Sequence, residues 1–213
     1  MGKKLQGSDT SHVSETPATQ LLRRAGVAFT SHPYAYAPHG GAQHSAEVLG
    51  LDPFCVIKTL VMHDQDAKPL LVLMHGNRKV STKNLARQIG AKSVEPCAPD
   101  VASRHSGYLV GGTSPFATRR RMPVYFEESI LALPRIVING GRRGFLVGMD
   151  PQVCMQLLDA TPVHCALDEG RDVARQEVAK EVGKEVSKEV SKEVADQRVE
   201  QSHGLMAQAK KAG

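Results

Sequence analysis

Two features of the chain could act together on a substrate. The first is Ser106-Gly-Tyr-Leu-Val-Gly-Gly-Thr-Ser-Pro115, where a short apolar run from Tyr108 to Val110 breaks into Gly111 and Gly112 and ends on Pro115. That pattern predicts a strand opening into a tight loop that a ligand can approach closely. Pro115 has no amide to give, but the N–H groups of Gly112, Thr113 and Ser114 can point successively at an anion or a carbonyl oxygen. The second feature is Lys58, inside the otherwise apolar, β-branched segment Val56-Ile-Lys58-Thr-Leu-Val61. A buried ammonium is costly, so this one must reach a partner, a cleft or the solvent at a strand end.

The elements that would position these groups can be read from capping signals and periodicity. Thr16 followed by Pro17 predicts a helix start, and Ala18, Leu21, Leu22 and Ala25 recur at helical spacing until Gly26. Residues 27–34 read as a strand, 38–41 as a loop and 45–51 as a short helix. Residues 54–62 and 70–74 have the uninterrupted apolar character of buried strands, joined by a hairpin over 64–69. Ser81 and Gly90 bracket a helix with Leu85, Ala86 and Ile89 on one side. A further helix over 98–106 feeds the glycine loop. Three strands follow, over 123–126, 135–139 and 145–147, and then a last helix over 151–158. Strands outnumber helices and the connections vary in length, which argues against a doubly wound sheet. The expected fold is α+β (mixed α/β), a strongly curved, barrel-like mixed sheet with helices packed around it.

Composition limits what such a unit can be. With 213 residues, 41% hydrophobic but only 4% aromatic and no Trp, the chain can bury one ordinary core and not two. Residues 1–15 are polar and expected to be disordered, and 16–168 form the folded domain. Residues 169–213 carry Glu-Val-x-Lys repeats that place Val178, Val182, Val186, Val190 and Val194 four apart. A four-residue period drifts around a 3.6-residue helix, so the valines make no continuous seam. The tail reads as a low-complexity, partly helical or disordered appendage, with an oligomerisation or docking helix as the alternative. Both ends are charge-balanced, so the formal +5 lies on the domain, which favours a polyanionic partner.

Cys55, Cys97, Cys154 and Cys165 form no C-x-x-C pair, and the nine histidines show no metal-ligand spacing. Reduced thiols, no metal, no nucleotide cofactor and a soluble, cytoplasmic protein without a membrane span are expected. No Ser-His-Asp order or G-x-S-x-G elbow supplies a general base.

Six segments occur together in order: Thr16-Pro-Ala-Thr-Gln-Leu-Leu22, His32-Pro-Tyr34, Val56-Ile-Lys-Thr-Leu60, Leu85-Ala-Arg-Gln-Ile-Gly-Ala-Lys92, Gly107-Tyr-Leu-Val-Gly-Gly-Thr-Ser-Pro115 and Asn139-Gly-Gly-Arg-Arg-Gly144. In this combination the chain resembles the YbaK/EbsC family of free-standing aminoacyl-tRNA deacylases, relatives of the editing domain inserted in bacterial prolyl-tRNA synthetase. The resemblance spans about residues 16–167. It implies hydrolysis of the ester in misacylated tRNA, characteristically Cys-tRNA(Pro), with tRNA and prolyl-tRNA synthetase as partners. Cysteine and proline are close in size, so an apolar pocket separates them by only ~1–3 kcal/mol and a second site must remove the error.

The resemblance also assigns roles. Lys58 would pair with the phosphate or ribose of the terminal adenosine. The loop from Gly111 to Pro115 would stabilise the oxyanion, and Tyr34, Asn139, Gly140, Gly141 and Leu146 would line the substrate pocket. Better-known members carry Ser where Asn139 stands, and some carry Asp where Leu146 stands. Amino-acid specificity is therefore open, with Ala-tRNA(Pro) as an alternative substrate and a non-catalytic tRNA- or synthetase-binding module as an alternative function. The resemblance also implies that the substrate supplies its own reactive group, the cysteine thiol or a tRNA hydroxyl.

Overall fold

In the computed structural model, which describes residues 15–167, the helices begin and end at their capping residues. Helix α1 (Pro17–Arg24) opens on a Thr16–Thr19 capping box, and the Thr16 hydroxyl also donates to the Gly140 carbonyl. Strand β1 (Thr30–Pro33) is shorter than the apolar pattern predicts. The Val27 amide is already committed to Leu22 at the end of α1, so pairing starts only at Thr30. Helix α2 spans Gly41–Leu49 and starts about one turn before the predicted position, with Gly40 accepting its first backbone bond from His44. Strands β2 (Val56–Asp64) and β3 (Pro69–His75) form the expected hairpin, with Asp64 Oδ1 accepting from the Asp66 and Lys68 amides at 2.9 Å each.

Helix α3 (Thr82–Ile89) has Ser81 as its N-cap and Gly90 at φ 72° as its stop, as read from the sequence. Strand β4 (Val94–Pro96), helix α4 (Pro99–Ser106), β5 (Val124–Glu127), a 3-10 turn over Glu128–Ala132, β6 (Ile136–Arg142), β7 (Phe145–Met149), α5 (Pro151–Leu157) and β8 (Thr161–Val163) complete the domain. The expected disorder of residues 1–15 and the partial helix of the tail concern segments outside the described residues, apart from Glu15.

All eight strands join one mixed sheet in the order β1-β7-β6-β2-β3-β5-β8, with β4 paired to the far end of β2. The barrel-like closure expected from the sequence does not occur. The sheet ends on β1 and β8, each of three or four residues and each carrying a proline, Pro33 or Pro162, that has no N–H to donate to a further strand. At the centre, all seven residues of β3 are buried, which explains its unbroken apolar run.

The two faces of the sheet are covered differently. One carries the main core: Ile57 and Val61 of β2, Ile136 and Ile138 of β6 and Val147 of β7 pack with Leu22 of α1, Ala102 of α4, Cys154 of α5 and the rings of Phe116 and Phe126. The other face holds two smaller clusters. Met62, Val72 and Met74 lie under Leu85 of α3, and Val56, Val137 and Leu146 lie under Ala46 of α2. Side chains alternate along a strand, so Lys58 shares the face of Val56, Leu60 and Met62. It stands where β2 passes from one small cluster to the other. Among the described residues no helix is long and apolar enough to cross a membrane.

Candidate active site

Lys58 is a half-buried lysine with a fixed end. Opposite it on β3 is Met74, and its Nζ donates to the carbonyl of Arg78, in the turn after β3 where the Arg78 amide donates to His75. That turn is held from behind. The Ser81 amide donates to the Cys165 carbonyl at 2.7 Å and the Leu167 amide to the Lys79 carbonyl at 2.8 Å, so residues 165–167 run alongside 79–81.

The buried carboxylate of Glu127 accepts from the amides of Cys165 and Ala166 at 2.7 and 2.8 Å and from the Ser129 hydroxyl at 3.0 Å. Ser129 Oγ also lies 2.9 Å from His75 Nε2, whose ring stacks on Phe54. Burial lowers the His75 pKa, and burial pushes the Cys165 thiol up to about 12. The Cys165 thiol is therefore a neutral part of the scaffold rather than a nucleophile, and the His75 ring is held between Ser129 and the Phe54 carbonyl, 2.6 Å from its Nδ1.

Lys58 also belongs to a row across the sheet. Val56 pairs with Val137 and Ile57 with Ile138, so two residues beyond the first pair Lys58 and Asn139 share a face on adjacent strands, and Asn139 pairs with Leu146 on β7. Asn139 is where the glycine loop meets this row. Its Nδ2 donates to the Gly111 carbonyl at 3.1 Å, while its Oδ1 accepts from the Gly141 amide at 2.9 Å across a break in the β6–β7 register. Arg143 Nε donates to the Val110 carbonyl at 2.9 Å, which gives the loop a second tie to the same hairpin.

The loop itself departs from the predicted strand. Gly107 at φ 80° ends α4, the Tyr108 hydroxyl donates to the Phe116 carbonyl at 2.7 Å, and the Gly112 amide closes a turn onto Leu109 at 2.8 Å. These contacts leave residues 108–110 unpaired with any strand and leave Leu109 66% and Val110 44% exposed. Of the three amides expected to face a ligand, that of Gly112 is therefore occupied. Among the described residues the Thr113 and Ser114 amides donate to no protein acceptor, and Ser114 and Pro115 are buried. Two adjacent N–H groups of a tied loop are thus left without a protein acceptor, Ser114 fully buried and Thr113 partly exposed.

The remaining predicted residues fall around this point. Tyr34 packs with the Leu146 cluster, its amide donates to the Gly144 carbonyl at 2.9 Å, and burial raises its phenol pKa. Leu146 is itself buried, on the face that carries Lys58 and Asn139, among Ala46, Val56 and Val137. Gly140 and Gly141 are the irregular step of β6, fixed by Thr16 and by Asn139. Sequence reasoning missed Tyr36. Its hydroxyl lies 2.9 Å from where a Cβ on Gly111 would stand, and the Arg143 guanidinium sits 5.3 Å from its ring centroid. An aromatic two residues after a predicted pocket tyrosine was the available signal.

Asn139→Ala removes both ties of the side chain, each worth ~0.5–1.5 kcal/mol. Together they amount to ~1–3 kcal/mol, so the midpoint of thermal unfolding is expected to fall by about 2–12 °C. Turnover of the cognate substrate should fall about tenfold, which corresponds to ~1.4 kcal/mol of lost positioning. Asn139→Asp keeps the acceptor for Gly141 but loses the donor to Gly111, so it should retain stability better than activity. Melting curves and rates measured side by side check both outcomes.

Comparison with known proteins identifies what this architecture is similar to. Residues 38–157 match the family model of the aminoacyl-tRNA editing domain. A curated relative in Enterococcus faecalis, named "Putative Cys-tRNA(Pro)/Cys-tRNA(Cys) deacylase EbsC", is 27% identical over 144 residues, 67% of this chain and 88% of the relative. A proline--tRNA ligase of Limosilactobacillus fermentum is 20% identical over 134 residues, 61% of this chain and 23% of the ligase. Among solved structures, "hypothetical protein APE2540" superposes with a TM-score of 0.66 at 18% identity, covering 71% of this chain and 100% of the other. A "putative trans-editing enzyme for prolyl tRNA synthetase" superposes with a TM-score of 0.61 at 19% identity, covering 72% of this chain and 99% of the other. These superpositions establish the shared fold.

Proposed function

The chain belongs to the aminoacyl-tRNA editing domain family, and from that premise we propose that it hydrolyses the aminoacyl ester of misacylated tRNA, with Cys-tRNA(Pro) as the first substrate. The observation that carries this reading is the pair of adjacent amides at Thr113 and Ser114 in a loop tied to Asn139, beside the sheet face that bears Lys58. An acyl carbonyl placed against those amides would have its developing negative charge stabilised, and Lys58 would hold the phosphate or ribose of the terminal nucleotide.

The side chains that tie the loop down are the Asn139 amide and the Arg143 guanidinium, neither of which accepts a proton. This supports a reaction in which the substrate supplies its own nucleophile. In Cys-tRNA the thiol sulfur attacks its own ester carbon, a C–S bond forms, the C–O bond to ribose breaks, and the thiol proton ends on the released ribose hydroxyl. For an amino acid without a thiol, a ribose hydroxyl would assist water instead. The protein's contribution is positioning and charge stabilisation.

Leu146 and Asn139 bear on which side chain is accepted. Leu146 beside Asn139 would present an apolar wall, which suits a small, uncharged side chain such as that of cysteine or alanine. Labelled Cys-tRNA(Pro), Ala-tRNA(Pro) and Pro-tRNA(Pro), incubated with the protein with and without prolyl-tRNA synthetase, test the reading. Loss of the cysteinyl ester well above the buffer rate, with prolyl ester spared, is expected. No ester loss from any of the three would leave the alternative of a tRNA- or synthetase-binding module.

A further inference from the structure

A second surface, on the same side of the sheet as Lys58, carries a groove of about 440 Å³ between α3 and the start of β4. Its walls hold Lys83, Arg87 and Lys92 against a single acid, Glu95, and Ala86 and Ala91 put short side chains between them. All three cations are exposed, and among the described residues none of them pairs with a carboxylate. Arg87 donates to Asn84 one turn earlier, which points its guanidinium along the helix and leaves further donors for a ligand.

The basic residues near the glycine loop are placed differently. Arg143 is bound to the Val110 carbonyl and covers Tyr36, and Arg142 sits over the Phe145 ring with its Nε buried. Those arginines build the site, whereas among the described residues the Lys83 and Lys92 ammonium groups make no hydrogen bond and Arg87 reaches only Asn84.

The groove follows the site along the chain. Lys58 is anchored on the Arg78 carbonyl, Lys79 follows, and the chain enters α3 three residues later. Lys79 is exposed, and Lys83 and Arg87 are one turn apart, so they face the same way. An eight-residue helix is about 12 Å long, enough to run beside several successive phosphates of one strand.

We propose that the α3 groove, through Lys83, Arg87 and Lys92, seats the sugar-phosphate backbone of the tRNA whose acylated 3′ end lies at Lys58. This rests on the deacylase reading, and it adds a binding face to that reading. Contacts to phosphate position an RNA without reading its sequence, so the groove would serve tRNA docking and leave amino-acid choice to the pocket.

The test is binding of uncharged tRNA(Pro) by the full chain at several KCl concentrations. Each lost phosphate contact lowers the magnitude of the slope of log K against log salt by ~0.7–0.9. For Lys83→Gln/Arg87→Gln the slope is therefore expected to drop by about 1.4–1.8. The charge-keeping pair Lys83→Arg/Arg87→Lys should retain the wild-type slope, which separates lost charge from a damaged helix. Arg104→Gln on α4, across the sheet, is the control and should also keep it.

A wild type that binds and deacylates, with an unchanged slope in the Gln pair, overturns the groove and leaves the deacylase reading standing. An unchanged slope together with activity lost only in the presence of prolyl-tRNA synthetase would assign the groove to the synthetase, and would equally overturn the proposal. A wild type that neither binds nor deacylates tRNA overturns both.

Discussion

Lys58→Met is expected to lower deacylation of the cognate aminoacyl-tRNA by about 10²–10³-fold, the range for removing one preorganised polar or charged group from a reacting centre. The variant should still fold. Methionine keeps the apolar stem that lies opposite Met74 and loses the ammonium that reaches the Arg78 carbonyl. The surrounding elements are held by other groups, including the Glu127 carboxylate and the pairing of 79–81 with 165–167. Lys58→Arg is the informative companion. A guanidinium keeps the charge but presents a planar fork where the strand offers room for a point donor, so partial activity with a raised KM is expected. Rates measured on saturating substrate beside melting curves decide the matter. A folded Lys58→Met protein with the wild-type rate removes this lysine from the chemistry.

Why Lys58 could be found in the sequence at all is a matter of contrast. A lysine among β-branched apolar residues violates the pattern of a buried strand, and the structure places it at the gap between two apolar clusters where that violation costs least. The helix ends were equally legible, because caps are local: Thr16, Ser81 and Gly90 act within a few residues of themselves. What the sequence could not show depends on partners far along the chain. Tyr108 to Val110 have strand-like side chains, yet Gly107 turns the backbone and Tyr108 is tied to Phe116, so no neighbouring edge is reached. Strands β4 and β8 have three residues each and exist only because β2 and β5 offer them hydrogen bonds.

Sheet closure failed for the same kind of reason, since prolines in the edge strands act through missing donors and not through hydrophobicity. At the site, the glycine loop and Lys58 were legible as residue types. The clasp between Asn139 and Gly111, the Arg78 carbonyl and the nearby Tyr36 ring were not, because each is a meeting of segments separated by 20 to 75 positions.

Gly112→Ala is expected to lower kcat by about 100-fold with little change in KM, because the loop amides would act on charge that exists only in the transition state. The two glycines of the loop are constrained by different physics. Gly111 has φ 87°, so any side chain there strains the backbone, and its Cβ would approach the Tyr36 hydroxyl, the far end of a side chain. Gly112 has no such backbone demand. A Cβ there would lie 2.8 Å from the Arg143 amide nitrogen and 2.9 Å from the Arg142 carbonyl carbon, and neither backbone atom can swing aside. The loop must lift off the β6–β7 hairpin, stretching the contacts of Asn139 with Gly111 and of Arg143 with Val110. Displacement of reacting groups by ~1 Å is enough for a loss of about 100-fold. Because the Thr113 and Ser114 amides follow Gly112 directly, they move with it. The melting temperature should fall only modestly, since the main core lies across the sheet and is untouched. Single-turnover rates at saturating substrate isolate this step. A Gly112→Ala protein that turns over at the wild-type rate would mean that these amides do not face the reacting carbonyl, and the oxyanion would then have to be stabilised from Lys58's side of the site.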